Sequence, residues 1–110
     1  MRLRRHEKIE SLMQQELSKI LLRDVEFPLG TLVTISRLEI NSDSTEAKIG
    51  VSVIPTERTE EVMSHIKKMQ GWLQRLINQK MNIKPMPRIN FEADYGLDKA
   101  AKIDKLLRES

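Results

Sequence analysis

Residues 62–81 read VMSHIKKMQGWLQRLINQKM, and this stretch decides the fold class. Its apolar residues recur at steps of three and four, the spacing of an amphipathic helix with one buried stripe. We predict that the helix begins behind a threonine cap at Thr56 or Thr59 and ends near Met81, before two prolines. Gly71 interrupts the pattern at a cost of about 1 kcal/mol relative to alanine. This glycine therefore predicts a kink or a place of close approach.

The residues before this stretch have the two-residue period of β-strands. Residues 32–40 are rich in β-branched side chains but change phase near Ser36-Arg37, which predicts a bulge. Residues 47–53 alternate strictly between apolar and other side chains. Turn-forming residues at 41–44 join the two segments, so we predict a β-hairpin.

The remaining segments complete one domain over residues 1–110. Residues 88–95 alternate as a third strand, and helices are predicted for residues 6–23 and 97–108. The predicted order is α-β-β-α-(kink)-α-β-α. This order indicates a two-layer α+β domain, in which helices cover one face of a three-stranded sheet.

The composition excludes several classes of protein. The chain has 110 residues, of which 39% are hydrophobic and 32% charged, as is typical of one globular domain. It has no cysteine, so it has no disulfide, thiolate metal site or cysteine nucleophile, which fits a reducing compartment. No run approaches the ~18 apolar residues of a membrane helix, and the first residues do not resemble a signal peptide. We therefore expect a cytoplasmic protein that does not span a membrane.

Charge is distributed unevenly along the chain. Residues 9–61 carry ten acidic and five basic side chains. Two other segments are basic: the first holds Arg2, Arg4, Arg5 and Lys8, and the second, which lacks acidic residues, holds Lys67, Lys68, Arg75, Lys80, Lys84 and Arg88. On a helical wheel at ~100° per residue, five residues lie within about 60° of the pole opposite the apolar stripe, namely Lys67, Lys68, Gly71, Arg75 and Asn78.

This basic face has two interpretations. Its spacing is equally typical of a solvated helix face and of a surface that binds nucleic acid. In the second case lysine and arginine neutralise phosphates, and glycine lets the RNA backbone approach closely. The lack of acidic residues favours nucleic acid, because solvated helices usually interleave both signs. The alternative is a protein-interaction module whose exposed strand edge or basic face meets an acidic partner.

Residue types that would support catalysis or metal binding are scattered. His6 and His65 are the only histidines and belong to different predicted elements. Without a recognisable His/carboxylate cluster, we predict no catalytic group, metal site or cofactor. Trp72 borders the apolar stripe on the wheel, which favours partial burial, with base stacking as the alternative.

Four segments in a fixed order carry a family pattern. They are Arg5-x-x-Lys8-Ile9 with Glu16-Leu17-Ser18-Lys19-Ile20-Leu21, then Ile35-Ser36-Arg37-Leu38-Glu39-Ile40-Asn41-Ser42-Asp43, Ala47-Lys48-Ile49 and Pro87-x-Ile89-x-Phe91-x-x-Asp94. Together they resemble bacterial ribosome-binding factor A over nearly the whole chain. The resemblance implies a type II KH-like RNA-binding domain, in which an Ala-x-Gly kink replaces the usual Gly-x-x-Gly loop. Here the kink reads Met69-Gln70-Gly71, so the glycine matches and the alanine does not.

The resemblance also implies a function. It describes a cytoplasmic assembly factor that binds the free small (30S) ribosomal subunit and its 16S rRNA. Such a factor assists late maturation, including 5′-end processing of the rRNA, notably in the cold. It is not an enzyme and is expected to be a monomer, and whether small-subunit ribosomal proteins share the interface stays open. The RNA-binding residues we predict are the ten cations of the two basic segments together with Gly71 and Asn78.

Overall fold

The helices and strands follow the predicted order. The computed structural model describes residues 2–96, with side chains from residue 6 onward, so the helix predicted for residues 97–108 lies outside the described residues. The elements are α1 (Arg2–Asp24), β1 (Leu32–Ile40), β2 (Glu46–Ile54), α2 (Thr59–Lys68), α3 (Gln70–Lys80) and β3 (Arg88–Ala93). The prediction of an α+β domain with a three-stranded sheet is confirmed.

The sheet combines an antiparallel and a parallel pairing. β1 and β2 form the predicted hairpin, and their register shifts between Ile35 and Arg37, where the change of phase predicts a bulge. β3 pairs in parallel with β2, so the strand order is β1-β2-β3 with β2 in the centre. β3 ends at Ala93, two residues before the predicted end.

One face of the sheet and the helices enclose a single apolar core. The central strand contributes four side chains that are at most 3% exposed, Ala47, Ile49, Val51 and Val53. The helices contribute side chains with no exposed surface, among them Met13, Leu17, Val62, Ile66, Leu73 and Ile77. Full burial of an aliphatic side chain of this kind contributes about 1.5–3 kcal/mol, so the apolar periodicities account for the assembly of the two layers.

The predicted threonine cap of α2 is wrong. A single turn of 3-10 helix, Thr56–Arg58, precedes α2, and the residue before α2 is Arg58, which makes no side-chain cap. Thr59 is the first residue of α2 and is buried. Its hydroxyl donates a hydrogen bond to the Thr56 carbonyl at 2.7 Å instead of accepting one from a helix N–H.

Candidate nucleic-acid interface

The helical region breaks at Met69, two residues before the predicted position. Met69 has φ −93° and ψ 5°, and its N–H donates to the carbonyls of His65 and Ile66 at 3.3 and 3.0 Å. The next helix starts at once, because the Leu73 N–H donates to the Met69 carbonyl at 2.9 Å. The φ angle is negative, so this conformation does not require a glycine. The assignment of the kink to Gly71 is therefore corrected to Met69.

Gly71 lies in the first turn of α3 and does not have a positive φ. It is exposed, and a Cβ added to it would have no neighbouring atom within 4 Å. The backbone does not need a glycine here, and an alanine side chain would fit without strain. The open space does allow a ligand to approach the helix backbone closely at this point.

The cations predicted from the second basic segment all face solvent. Lys67 and Lys68 end α2, while Arg75, Asn78 and Lys80 lie on α3, Lys84 lies in the loop after α3, and Arg88 begins β3. Within residues 6–96, no carboxylate comes within 4.0 Å of their charged groups. The Asn78 side-chain oxygen accepts a hydrogen bond from Gln74 at 3.0 Å. The charge of this segment is therefore available to a partner.

The first basic segment lies at the end of the molecule that holds the turn between β1 and β2. Arg2, Arg4 and Arg5 belong to the first turns of α1, and Lys8 is exposed one turn later. The His6 imidazole lies 3.4 Å from the Ser44 hydroxyl in the turn between β1 and β2. The start of α1 is thus placed beside the hairpin turn.

The break between α2 and α3 also lies near the hairpin turn. The Arg88 N–H donates to the Thr45 carbonyl at 2.9 Å. Thr45 and Arg88 also line an open groove of about 430 Å³ together with Gln70 and Asn90. Tertiary structure therefore gathers the start of α1, the start of α3 and the start of β3 around one end of the sheet.

The fold brings carboxylates close to this basic region, which the linear sequence does not show. Glu46 is opposite Arg88 in the parallel register and lines the same groove. Glu60 lines a shallow depression beside Lys67 and Lys68, about two turns away along α2. The acid-free stretch of sequence is therefore not an acid-free surface.

Two glutamines that the sequence analysis does not single out hold α3 against β3. The Gln74 side-chain oxygen accepts from the Ile89 N–H at 2.8 Å, and its amide donates to the Pro87 carbonyl at 3.2 Å. The Gln70 amide donates to the Ile89 carbonyl. Residues four apart share one face of a helix, so the i, i+4 spacing of the two glutamines could have predicted that both side chains reach the same strand.

The opposite edge of the sheet is covered in the same way. On α1, Glu10 accepts from the Ile40 N–H at 2.7 Å, and Gln14 donates to the Ile35 carbonyl at 3.3 Å. An unpaired strand edge is what an added strand needs. At Ile35, Ile40 and Ile89 those backbone groups are occupied, so strand addition to an exposed edge is disfavoured there.

The uncovered face of the sheet carries a polar cross-strand cluster. The Arg37 guanidinium donates to Glu92 at 2.6 Å, and the Ser36 hydroxyl donates to Asp94 at 2.5 Å. Both contacts run from β1 across Gly50 of β2 to β3 and the residue that follows it. The Ser36 hydrogen bond, with further help from the Gly96 N–H and Arg37, holds the pKa of Asp94 below its usual value.

The two histidines make unrelated contacts. His6 lies against Ser44, whereas the His65 ring meets the Phe27 ring edge-on, with 6.1 Å between the centroids. Among residues 2–96, no group of three side chains is arranged to hold a metal ion. No helix in that part of the chain is long and apolar enough to cross a membrane.

Comparison with known proteins shows the family. The family model described as ribosome-binding factor A matches residues 5–107. The chain belongs to the ribosome-binding factor A family. The predicted resemblance is thereby confirmed, and it covers the second basic segment and the first one from Arg5 onward.

Relatives and solved structures agree with the family assignment. Ribosome-binding factor A of Halothermothrix orenii is 30% identical over 99% of this chain and 90% of its own length. The solution NMR structure of a Thermotoga maritima protein matches with a TM-score of 0.70 at 29% identity, covering 84% of this chain and 89% of that chain. A homology model of Thermus thermophilus ribosome binding factor A, fitted into a cryo-EM map of a 30S complex, matches with a TM-score of 0.67 at 16% identity, over 77% of this chain and 90% of that chain.

Proposed function

We propose that this chain binds the free 30S ribosomal subunit and contacts 16S rRNA without catalysing a reaction. The contact is made by the basic surface, defined as Lys67, Lys68, Gly71, Arg75 and Asn78, and extended by the cations at the start of α1. One observation carries the proposal: the cations of this surface are exposed and unpaired within the described residues, next to a glycine that lets a phosphate chain approach.

The family assignment supports the choice of partner. The Thermus thermophilus homologue of the same fold was fitted into a map of its complex with 30S. By analogy, this chain acts as a monomer in the cytoplasm and assists late maturation of the subunit, including 5′-end processing of 16S rRNA and growth in the cold. A basic surface without a catalytic cluster binds and positions RNA, which fits such a role.

Cosedimentation tests the proposal. The full chain is centrifuged with 30S subunits, 50S subunits and 70S ribosomes, and binding to 30S alone is expected. The triple variant Lys67→Gln, Lys68→Gln, Arg75→Gln should bind 30S more weakly, with a shallower dependence of log K on log salt because fewer phosphates are neutralised.

A charge-matched control keeps the test specific. The variant Arg23→Gln, Lys48→Gln, Arg58→Gln removes the same charge from exposed positions outside the basic surface. An equal loss of 30S affinity in the two triple variants would show that only net charge matters, and would refute the basic surface as the binding site. Binding of a polyglutamate peptide in preference to 30S would favour the alternative function, an interaction module for an acidic protein.

A further inference from the structure

The only tryptophan of the chain is exposed on α3, which carries part of the basic surface. Trp72 is the third residue of α3 and leaves 37% of its surface in contact with solvent. Within residues 6–96, no other aromatic ring packs against the indole, and its N–H has no hydrogen-bond acceptor. The exposed part of the ring keeps apolar surface in water, which is less favourable than burying it.

The surroundings of Trp72 suit a nucleotide. Gly71 precedes it and leaves open space where a side chain would stand. Arg75 follows three residues later and is exposed, and residues at this spacing are neighbours on a helix surface. An aromatic face, an unobstructed helix backbone and a guanidinium thus adjoin one another. These groups match the base, the sugar-phosphate chain and the phosphate charge of one nucleotide.

We propose that Trp72 is a stacking platform for an unpaired RNA base. This inference rests on the proposed function, since the basic surface supplies the electrostatic part of the same contact. Stacking adds a contribution to the binding free energy that requires an unpaired base, because a base inside a duplex has no free face. The ligand class is therefore single-stranded RNA, such as a loop, a bulge or a chain end.

Stacking and charge respond differently to salt. Phosphate contacts determine the slope of log K against log salt, whereas an aromatic stack shifts the whole line without changing its slope. Trp72→Leu keeps an apolar side chain in the partly buried position but removes the stacking face. Trp72→Phe keeps a smaller aromatic face. The pair separates a stacking role from simple packing of α3.

The experiment measures binding of a fluorescein-labelled 12-nucleotide oligo(A) strand and of the corresponding duplex by anisotropy at several salt concentrations. Trp72→Leu should bind the single strand about 5- to 150-fold more weakly with an unchanged salt slope, and Trp72→Phe should recover most of the affinity. Duplex binding should change little. Leu22→Gln is the control, because Leu22 is exposed near the other end of α1.

A second measurement needs no variant. Indole fluorescence of the wild-type chain should be quenched on binding the single strand, and the bound indole should be protected from acrylamide. Unchanged affinity of Trp72→Leu, equal losses on single strand and duplex, absence of quenching, or failure of the wild type to bind the single strand would each overturn the platform. If 30S cosedimentation survives any of these results, only this inference fails; if it is also absent, the proposed function fails with it.

Discussion

Gly50 is the position where one methyl group should test the cross-strand cluster on the uncovered face of the sheet. A Cβ added there would lie 2.8 Å from Arg37 Cγ and 3.0 Å from both Arg37 Nε and Ser36 Oγ. These distances are too short for van der Waals contact, so Gly50→Ala must displace the Arg37 side chain. Arg37 is half exposed and can turn into solvent, which breaks its ion pair with Glu92.

The expected cost follows from the contacts that are lost. An exposed ion pair contributes about 0.2–1 kcal/mol, and the Ser36–Asp94 hydrogen bond contributes about 0.5–1.5 kcal/mol. Replacing glycine by alanine inside a strand returns about 0.5–1 kcal/mol. The net loss of unfolding free energy is about 1 kcal/mol, or a fall in Tm of about 4–8 °C for a domain of about this size.

Thermal unfolding of Gly50→Ala, Arg37→Ala and the double variant measures this effect. If Arg37 is the main obstacle, Gly50→Ala should be neutral or slightly stabilising once Arg37 has been truncated. The two substitutions should then show a coupling of up to about 1 kcal/mol, the part of the loss that comes from the Arg37 ion pair. The same loss in both backgrounds, or no loss in the wild-type background, would refute this account of the cluster.

Four further variants test the basic region, the core and the cross-strand cluster. Gly71→Ala should raise unfolding free energy by up to about 1 kcal/mol, because the position is helical and unobstructed, and should weaken 30S binding through the added Cβ; a more stable variant that binds equally well would remove Gly71 from the interface. Val51→Ala should cost roughly 1–3 kcal/mol in chemical denaturation, since Val51 is fully buried, yet leave 30S affinity of the folded protein intact. Ser36→Ala should raise the pKa of Asp94 in an NMR titration. The lowered pKa of Asp94 stabilises the fold at pH values above the unfolded-state pKa of about 4, and this contribution is lost as pH falls through the folded-state pKa. The triple variant Arg2→Gln, Arg4→Gln, Arg5→Gln should weaken 30S cosedimentation with little change in Tm, because positive charge at the N-terminus of a helix does not complement the helix dipole. Equal affinity would exclude these arginines from the site.

The sequence predicted those elements whose pattern is a direct consequence of burial on one face. The strict alternation in β2 and the change of phase in β1 can be read directly from the order of apolar and polar residues. The hairpin and its bulge could therefore be predicted. The position of the helix break could not. Met69 has a negative φ that does not require a glycine, so no residue type marks the break in the sequence. Gly71 has a low helix propensity, which led to the prediction, but it does not cause the break.

The exposure of the basic surface was predictable, but its neighbours were not. Lys67, Lys68 and Arg75 lie opposite the apolar stripe, and that relation holds within a few turns of helix. The approach of Glu46 to Arg88 depends on the register between β2 and β3, which are separated by the whole of α2 and α3. Such a contact is a product of tertiary structure and has no local signature.

The way the sheet edges are covered limits how this domain can bind a macromolecule. α1 and α3 each direct two polar side chains, four residues apart, at the backbone of the edge strand beside them. A partner strand would have to displace those hydrogen bonds before it made its own, and a buried polar group left unpaired costs about 1–3 kcal/mol. The exposed cations need no such exchange, because their binding releases the counterions condensed on the RNA phosphates. Binding through the basic surface therefore breaks fewer existing hydrogen bonds than binding through a sheet edge. This difference favours RNA over an added peptide strand as the partner.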